Sequence, residues 1–365
     1  MRIEWISDPA DLDALEEPWR ELESVVQHRT HLSSFDFLAA WYRHYAGEYG
    51  GTPLIGLAWE GTALAGVAPL TLRRGRVGGI PVDRVEFAPS DVPAGEFLVE
   101  EGRPEVIEAF VDSLKKRAGF DVICLEGLAS SSGHLSAVRS AAARHGMPVE
   151  ADDHASAIVD LRAGYKSYFA NLSGHYRRNL HHKARKIEAA GARVDGVHLT
   201  TSAGEIDKAI ERLISINEAS YKLNGQRLAD NHRAFLADVV RRLNRRGTLS
   251  LPILSIGGRD AAFILGVVER GHFYDITLAY DEAFAKLSPG AYLMQETLRR
   301  LAGAGVHTLV SHGAHEYKRH WATAFVPQTR LFLFSPRPRA ALTRFVRFGL
   351  RPLWKRLAPA AYRAI

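Results

Sequence analysis

The chain has 365 residues, 46% hydrophobic and 24% charged, a composition that suits two ordinary globular domains and excludes a largely disordered protein. A single cysteine, Cys124, stands in the apolar run Asp-Val-Ile-Cys-Leu and rules out a disulfide framework or a cysteine-based metal site. The net charge of +6 is uneven: residues 336–365 hold eight arginines and lysines and no acid, which leaves the rest at −2, so the basic balance belongs to the tail and nucleic acid is not an expected partner.

The N-terminus runs from Met1-Arg2-Ile3-Glu4-Trp5 into an acidic stretch, without the basic start and apolar core of a secretory signal. No run of about 18 apolar residues is present, so a cytoplasmic location is expected. The pattern predicts a strand at Arg2–Ser7, helices at Asp11–Gln27 and Ser34–Tyr45, and a hairpin of Pro53–Trp59 and Ala63–Leu72 around Gly61. A helix at Glu105–Arg117, a buried strand at Asp121–Leu125, a helix at Leu135–His145 and a strand at Ala157–Leu161 follow. The aromatic stripe Phe35, Phe37, Trp41, Tyr42 and Tyr45 reads first as core and otherwise as the wall of an acceptor groove.

A basic helix from Tyr176 to Ile187, with Arg177, Arg178, Lys183, Arg185 and Lys186, joins the two halves. It reads either as a solvated connector or as an electrostatic collar for an anionic ligand. His181 and His182 are adjacent, so they do not share a helix face, and no metal is expected. The second half repeats the order of the first. A hairpin at Leu249–Ile256 and Ala261–Glu269 precedes a strand at His272–Ala279, a helix at Pro289–Ala302, a strand at Thr308–Ser311, a helix at Glu316–Thr323 and a strand at Thr329–Phe334. Arg117 to Ile123 matches Gly303 to Leu309 in register, and Gly127 then falls on Gly313, the mark of a duplicated α/β domain. The expected division is 1–162, a connector at 163–191, a second domain at 192–335 and a tail at 336–365.

Lys286-Leu287-Ser288-Pro289-Gly290-Ala291 opens the helix after the third strand of the second half. Ser288 suits the N-cap, Pro289 the first helical position, and Gly290 a site where a phosphate approaches free N–H groups at the positive end of the helix dipole.

With Gly313-Ala314-His315-Glu316-Tyr317-Lys318-Arg319-His320-Trp321 and the Arg177–Leu180 connector, this segment resembles the acetyltransferase domain of the CelD group, named for cellulose-biosynthesis clusters and related to the FemABX tandem-GNAT transferases. The resemblance covers residues 160–335 well and the first half loosely. It implies an α/β fold of tandem GNAT-like domains, each a mixed central sheet flanked by helices, in which two strands splay apart to admit a thioester. It also implies that acyl-CoA is the co-substrate, with its phosphates on Lys286, Ser288, Pro289, Gly290 and Ala291 and with Lys318 assisting.

Acyl transfer to an amine needs a base, an oxyanion site and an acid for the thiolate. GNAT domains place a Tyr five residues before a Phe near this point; counting back from Phe325 gives His320 as the acid, with Tyr317 as substitute. His312 is the candidate base, and Asp275 a second base or the orienter of a histidine. The resemblance leaves three acceptor readings open. One is an amphiphilic amine such as the long-chain base used in bacterial ceramide synthesis. The others are an amino sugar of an envelope polysaccharide, and FemABX-like transfer from aminoacyl-tRNA.

The tail is the last expected element. Wound as a helix over 340–358, it sets Leu342, Phe345, Val346, Gly349, Leu350, Leu353, Trp354 and Leu357 opposite Arg344, Arg347, Arg351 and Lys355, with Arg356 alone breaking the pattern. That pattern predicts a peripheral contact with an anionic membrane surface.

Overall fold

The computed structural model describes residues 1–350 except 28, 48, 49, 91, 93, 118, 200, 201, 221, 222, 224 and 225. The chain forms two compact units, Met1–His154 with the residues from Pro327 onward, and Ala155–Val326.

The first unit opens with β1 (Arg2–Ile6), α1 (Glu16–Val25), α2 (Phe35–Tyr45), β2 (Thr52–Glu60), β3 (Ala63–Val77) and β4 (Ile80–Phe87). Next come β5 (Leu98–Val99), α3 (Pro104–Lys116), β6 (Val122–Ala129), α4 (Gly133–Arg144) and the start of β7 (Val149–Asp160). The second unit takes the end of β7, then α5 (Gly164–Asn171), α6 (Gly174–Ala189), β8 (Ala192–Leu199), α7 (Ala203–Glu218), α8 (Asp230–Arg246), β9 (Leu249–Ile256) and β10 (Arg259–Glu269). It ends with β11 (His272–Tyr280), α9 (Pro289–Gly303) and β12 (Thr308–Ser311); β13 (Ala324–Phe334) and α10 (Pro338–Arg344) lead back into the first unit.

Each unit holds the same strand sequence. In the first, β1, β2, β3 and β4 are antiparallel neighbours, β4 runs parallel to β6, and β6 pairs antiparallel with β13. In the second, β8, β9, β10 and β11 are antiparallel, β11 runs parallel to β12, and β12 pairs antiparallel with the end of β7. The parallel pairs are congruent: Arg84, Val85 and Glu86 face Val122, Ile123 and Cys124, as His272, Phe273 and Tyr274 face Thr308, Leu309 and Val310. Gly119 and Gly305 have positive φ just before these strands; Gly127 has positive φ within β6, and Gly313 just after β12. The boundaries expected at 162 and 335 differ from the compact units because β13 lies beside β6, and the strand beside β12 is β7. No single-sequence pattern names such partners.

Apolar periodicity explains the layers. In the first unit Val106, Ile107, Phe110 and Leu114 of α3 and Leu135, Val138, Ala141 and Ala142 of α4 are buried with Leu331 and Leu333 of β13. The stripe on α2 is core: Phe35, Phe37, Trp41 and Tyr42 are buried, and the Tyr42 hydroxyl donates to the Leu70 carbonyl at 2.8 Å. In the second unit Leu293, Leu298 and Leu301 of α9 join Tyr168 and Ile187 against the sheet. Helices α7 and α8, absent from the sequence reading, bury Leu213, Ile216, Val239 and Val240, and Arg212 of α7 binds Asp260 of β10 at 2.7 Å.

Two predicted helices change form. The first begins as a 3-10 turn, Pro9–Leu15, capped by Asp8, before α1. Glu316–Thr323 yields only a 3-10 turn, Glu316–His320, because Thr323 is already tied to β7. The Thr323 N–H donates to the Ile158 carbonyl at 2.8 Å, and its hydroxyl accepts from the Asp160 N–H at 2.9 Å. Helix α10 continues as a wide turn over Phe345–Leu350, and the rest of the predicted tail helix, 351–358, lies outside the described residues.

Candidate active site

Strands β11 and β12 pair at only three positions, the last being Tyr274 with Val310. β11 then runs on to Tyr280 against β10, while β12 ends at Ser311 and the chain turns at Gly313, φ 79°. This divergence is the splay that the family resemblance implies. A bulge between Leu265 and Gly266 on β10 accompanies it: a Cβ on Gly266 would lie 2.3 Å from the Phe273 ring, so only glycine fits there.

At the apex the Ser311 hydroxyl donates to Oδ2 of Asp275 at 2.7 Å. Burial pushes the Asp275 carboxyl up to about 6, against the pull of Ser311 and Lys318. Lys318 is buried, its ammonium donates to the His312 carbonyl, and burial lowers its pKa while Asp275 opposes the fall. His312 is pushed down to about 4 by burial and by Lys318, so its ring is neutral at pH 7, with Nδ1 3.5 Å from the Ser156 hydroxyl. Asp275, Ser311, Lys318 and His312 thus form one polar cluster where the strands part.

The start of α9 forms the neighbouring wall. Ser288 sits at the cap position in the left-handed region, φ 55°, and its side chain makes no cap bond; its carbonyl accepts from the N–H groups of Ala291 and Tyr292. Pro289 is the first helical residue. A Cβ on Gly290 would lie 3.2 Å from Cδ2 of Leu278 on β11, which brings the helix start against the strand just past the splay. Lys286 is exposed on the preceding 3-10 turn, and α6 packs beside that turn.

Of the other nominated groups, Lys318 is committed inside this cluster, and Tyr317 and His320 stand apart from it. Lys318, expected to assist a phosphate, has its ammonium engaged by Asp275 and the His312 carbonyl because Trp321 and the β7 contacts draw its turn inward. Tyr317 is 61% exposed and stacks on His315. His320 is exposed and stacks on Tyr176 of α6 at 5.6 Å. Ser311 and Ser156 escaped the sequence reading; a serine closing a short apolar strand was their only signal. Among the described residues no cluster of His, Cys, Asp or Glu is arranged to hold a metal, and no helix is long and apolar enough to cross a membrane.

Residues 174–319 match the family described as acetyltransferase (GNAT) domain. No curated protein matches the chain. Among solved structures, L-PGS from Bacillus licheniformis superposes with a TM-score of 0.57 at 13% identity, covering 93% of this chain and 97% of that one. FemX gives 0.54 at 11% identity over 98% and 100% of the two chains. The C-terminal domain of a protein described as a lysylphosphatidylglycerol synthetase from Agrobacterium fabrum gives 0.55 at 12%, over 94% and 99%. At such identities these likenesses establish the fold. The matched segment holds the splay, the α9 start and every nominated residue but His320, and the match supports an N-acyltransferase.

Proposed function

We propose that the protein transfers an acyl group from a coenzyme A thioester to the primary amine of an amphiphilic acceptor, a long-chain base being the type. The observation that carries the chemistry is the polar cluster at the apex of the splay, with Asp275 held near 6 beside neutral His312. A base works best when its pKa lies near the working pH. Asp275 therefore takes the proton of the incoming amine, and His312 and Lys318 set the field around it. As the C–N bond forms, the open edge of β11 beyond Tyr274 offers backbone N–H groups to the thioester oxygen. As the C–S bond breaks, the leaving thiolate takes a proton, with Tyr317 as the candidate donor. The coenzyme A phosphates are assigned to the α9 start, near Lys286.

The apolar acceptor is supported by the tail. Leu342, Phe345 and Leu350 are exposed on α10 and the turn after it, whereas Arg344 and Arg347 reach inward to Glu150 and Asp152 at 2.7 and 2.6 Å. An outward apolar row beside a cation-rich terminal segment suits a peripheral contact with an anionic membrane. The exposed cations of α6, Arg178, Arg185 and Lys186, favour one second reading, an aminoacyl-tRNA donor.

Thiol release from CoA thioesters of graded chain length, with a long-chain base, an amino sugar or no acceptor, tests the proposal. Amine-dependent release that is fastest with the long-chain base is the expected result. Release only with the sugar moves the acceptor. Transfer from aminoacyl-tRNA with none from any thioester replaces the donor.

A further inference from the structure

The first unit repeats the splay and fills it differently. Beyond the pair Glu86 and Cys124, where β4 and β6 part, lies a cavity of about 310 Å³, at the lower end of the range of small-molecule sites. Four arginines line it, Arg76, Arg84, Arg330 and Arg347, against two carboxylates, Glu86 and Glu126. Each carboxylate braces a guanidinium: Glu86 contacts Arg84 and also Arg73 at 3.2 Å, and Glu126 contacts Arg330. Asp152 holds Arg347 at 2.6 Å. A guanidinium has five donors, so one brace leaves others for a ligand.

Nε of Arg330 is buried in the lining without a hydrogen-bond partner, while Nε of Arg84 and Oε1 of Glu86 are buried in the ion pairs with Glu86 and Arg73. Glu86 is only 7% exposed. A buried donor left unmatched is costly, so a ligand that completes it gains affinity. A phosphate monoester supplies an acceptor for Nε of Arg330 and for the guanidinium N–H groups around it, and its charge answers the arginine excess. The apolar side of the cavity is formed by Val77, Phe87 and Phe332, which leaves space for the alcohol part of the ester.

We propose that this cavity binds a phosphate monoester. The site lies wholly within the first unit and does not rest on the acyl-transfer reading. The ligand is either a soluble phosphate ester or the headgroup of a phosphatidate-type lipid.

Titration calorimetry on the full chain with glycerol 3-phosphate, and separately with a short-chain soluble phosphatidic acid, tests the site. Saturable binding of at least one probe is expected; binding of the lipid alone assigns the headgroup, and binding of the soluble ester assigns the free metabolite class. Arg330→Lys, which keeps the charge and removes the fork, should weaken binding by about tenfold or more. Arg76→Gln alters an exposed arginine with little risk to folding and should also weaken it. Absence of saturable binding by both probes at millimolar concentration overturns the proposal. So does unchanged affinity in both variants.

Discussion

The Ser311 hydroxyl meets Oδ2 of Asp275 at 2.7 Å, one residue past the last paired rung of β11 and β12. That bond ties the end of the short strand to the point where the long one leaves it. It also places a desolvated carboxylate at the mouth of the splay, and the first predictions turn on that carboxylate.

Asp275→Asn should lower turnover by roughly 100- to 10,000-fold, the span usual for a general base, with little change in KM for acyl-CoA. In the wild type kcat should rise with pH through about 6 and level off above it, as the carboxyl ionises. The variant should lose that limb. His320→Ala, at an exposed ring stacked on Tyr176, should change turnover by less than about tenfold. A wild-type pH–rate limb retained in Asp275→Asn would assign the base elsewhere.

Stability should respond to pH in opposite senses at two neighbours. His312 is held near 4, below its ordinary 6.5, so its contribution is lost as pH falls through that window, by up to roughly 3 kcal/mol. Asp275 is held near 6, above its ordinary 3.8, so its contribution is present at low pH and lost as pH rises from about 4 to 6. Melting temperatures of His312→Ala and Asp275→Asn, each referred to the wild type between pH 4 and 7, should therefore slope in opposite directions. Parallel slopes would contradict the assignment.

Gly290 faces Leu278 at a spacing that admits one methyl group with slight adjustment. Gly290→Ala should therefore be mild. Gly290→Phe should raise KM for acyl-CoA by about tenfold or more and leave KM for the amine alone, since the bulk stands where phosphate oxygens approach the helix start. Steady-state kinetics with each substrate varied in turn separates the two.

Gly266→Ala should destabilise the protein by about 2–4 kcal/mol, because the new methyl meets the Phe273 ring at 2.3 Å and the Tyr274 carbonyl at 2.7 Å. Chemical denaturation measures this directly. An unchanged midpoint would mean that the bulge relaxes at little cost.

Leu342→Glu with Phe345→Glu should reduce co-sedimentation with anionic vesicles and leave the melting temperature within about 2 °C, since both side chains are exposed. Because Arg344 and Arg347 are already paired with acids of the body, the electrostatic share of binding falls to Arg351, Lys355, Arg356 and Arg363. Raising salt should weaken binding without abolishing it. Full-length protein that stays in the supernatant with anionic vesicles at low salt would remove the membrane contact.

Periodicity and turn residues by themselves determined much of this protein. The α2 stripe, the two hairpins, the helix opening at Ser288-Pro289-Gly290 and the duplicated glycine frame were legible because each rests on neighbours in sequence. Strands β4 and β8 and helices α7 and α8 lay in stretches that the sequence reading did not assign. Which strand completes each sheet was illegible, because β7 and β13 choose partners across long separations, Ser311 with Ala157 and Phe334 with Val122 among them. The same holds for the site. His312, Asp275 and Lys318 were nameable as residue types that move protons or hold charge. Only the tertiary structure decided that burial would push Asp275 up, hold His312 neutral and turn Lys318 inward. Desolvation and the distance between charges belong to the packed chain, and no spacing along the sequence encodes them.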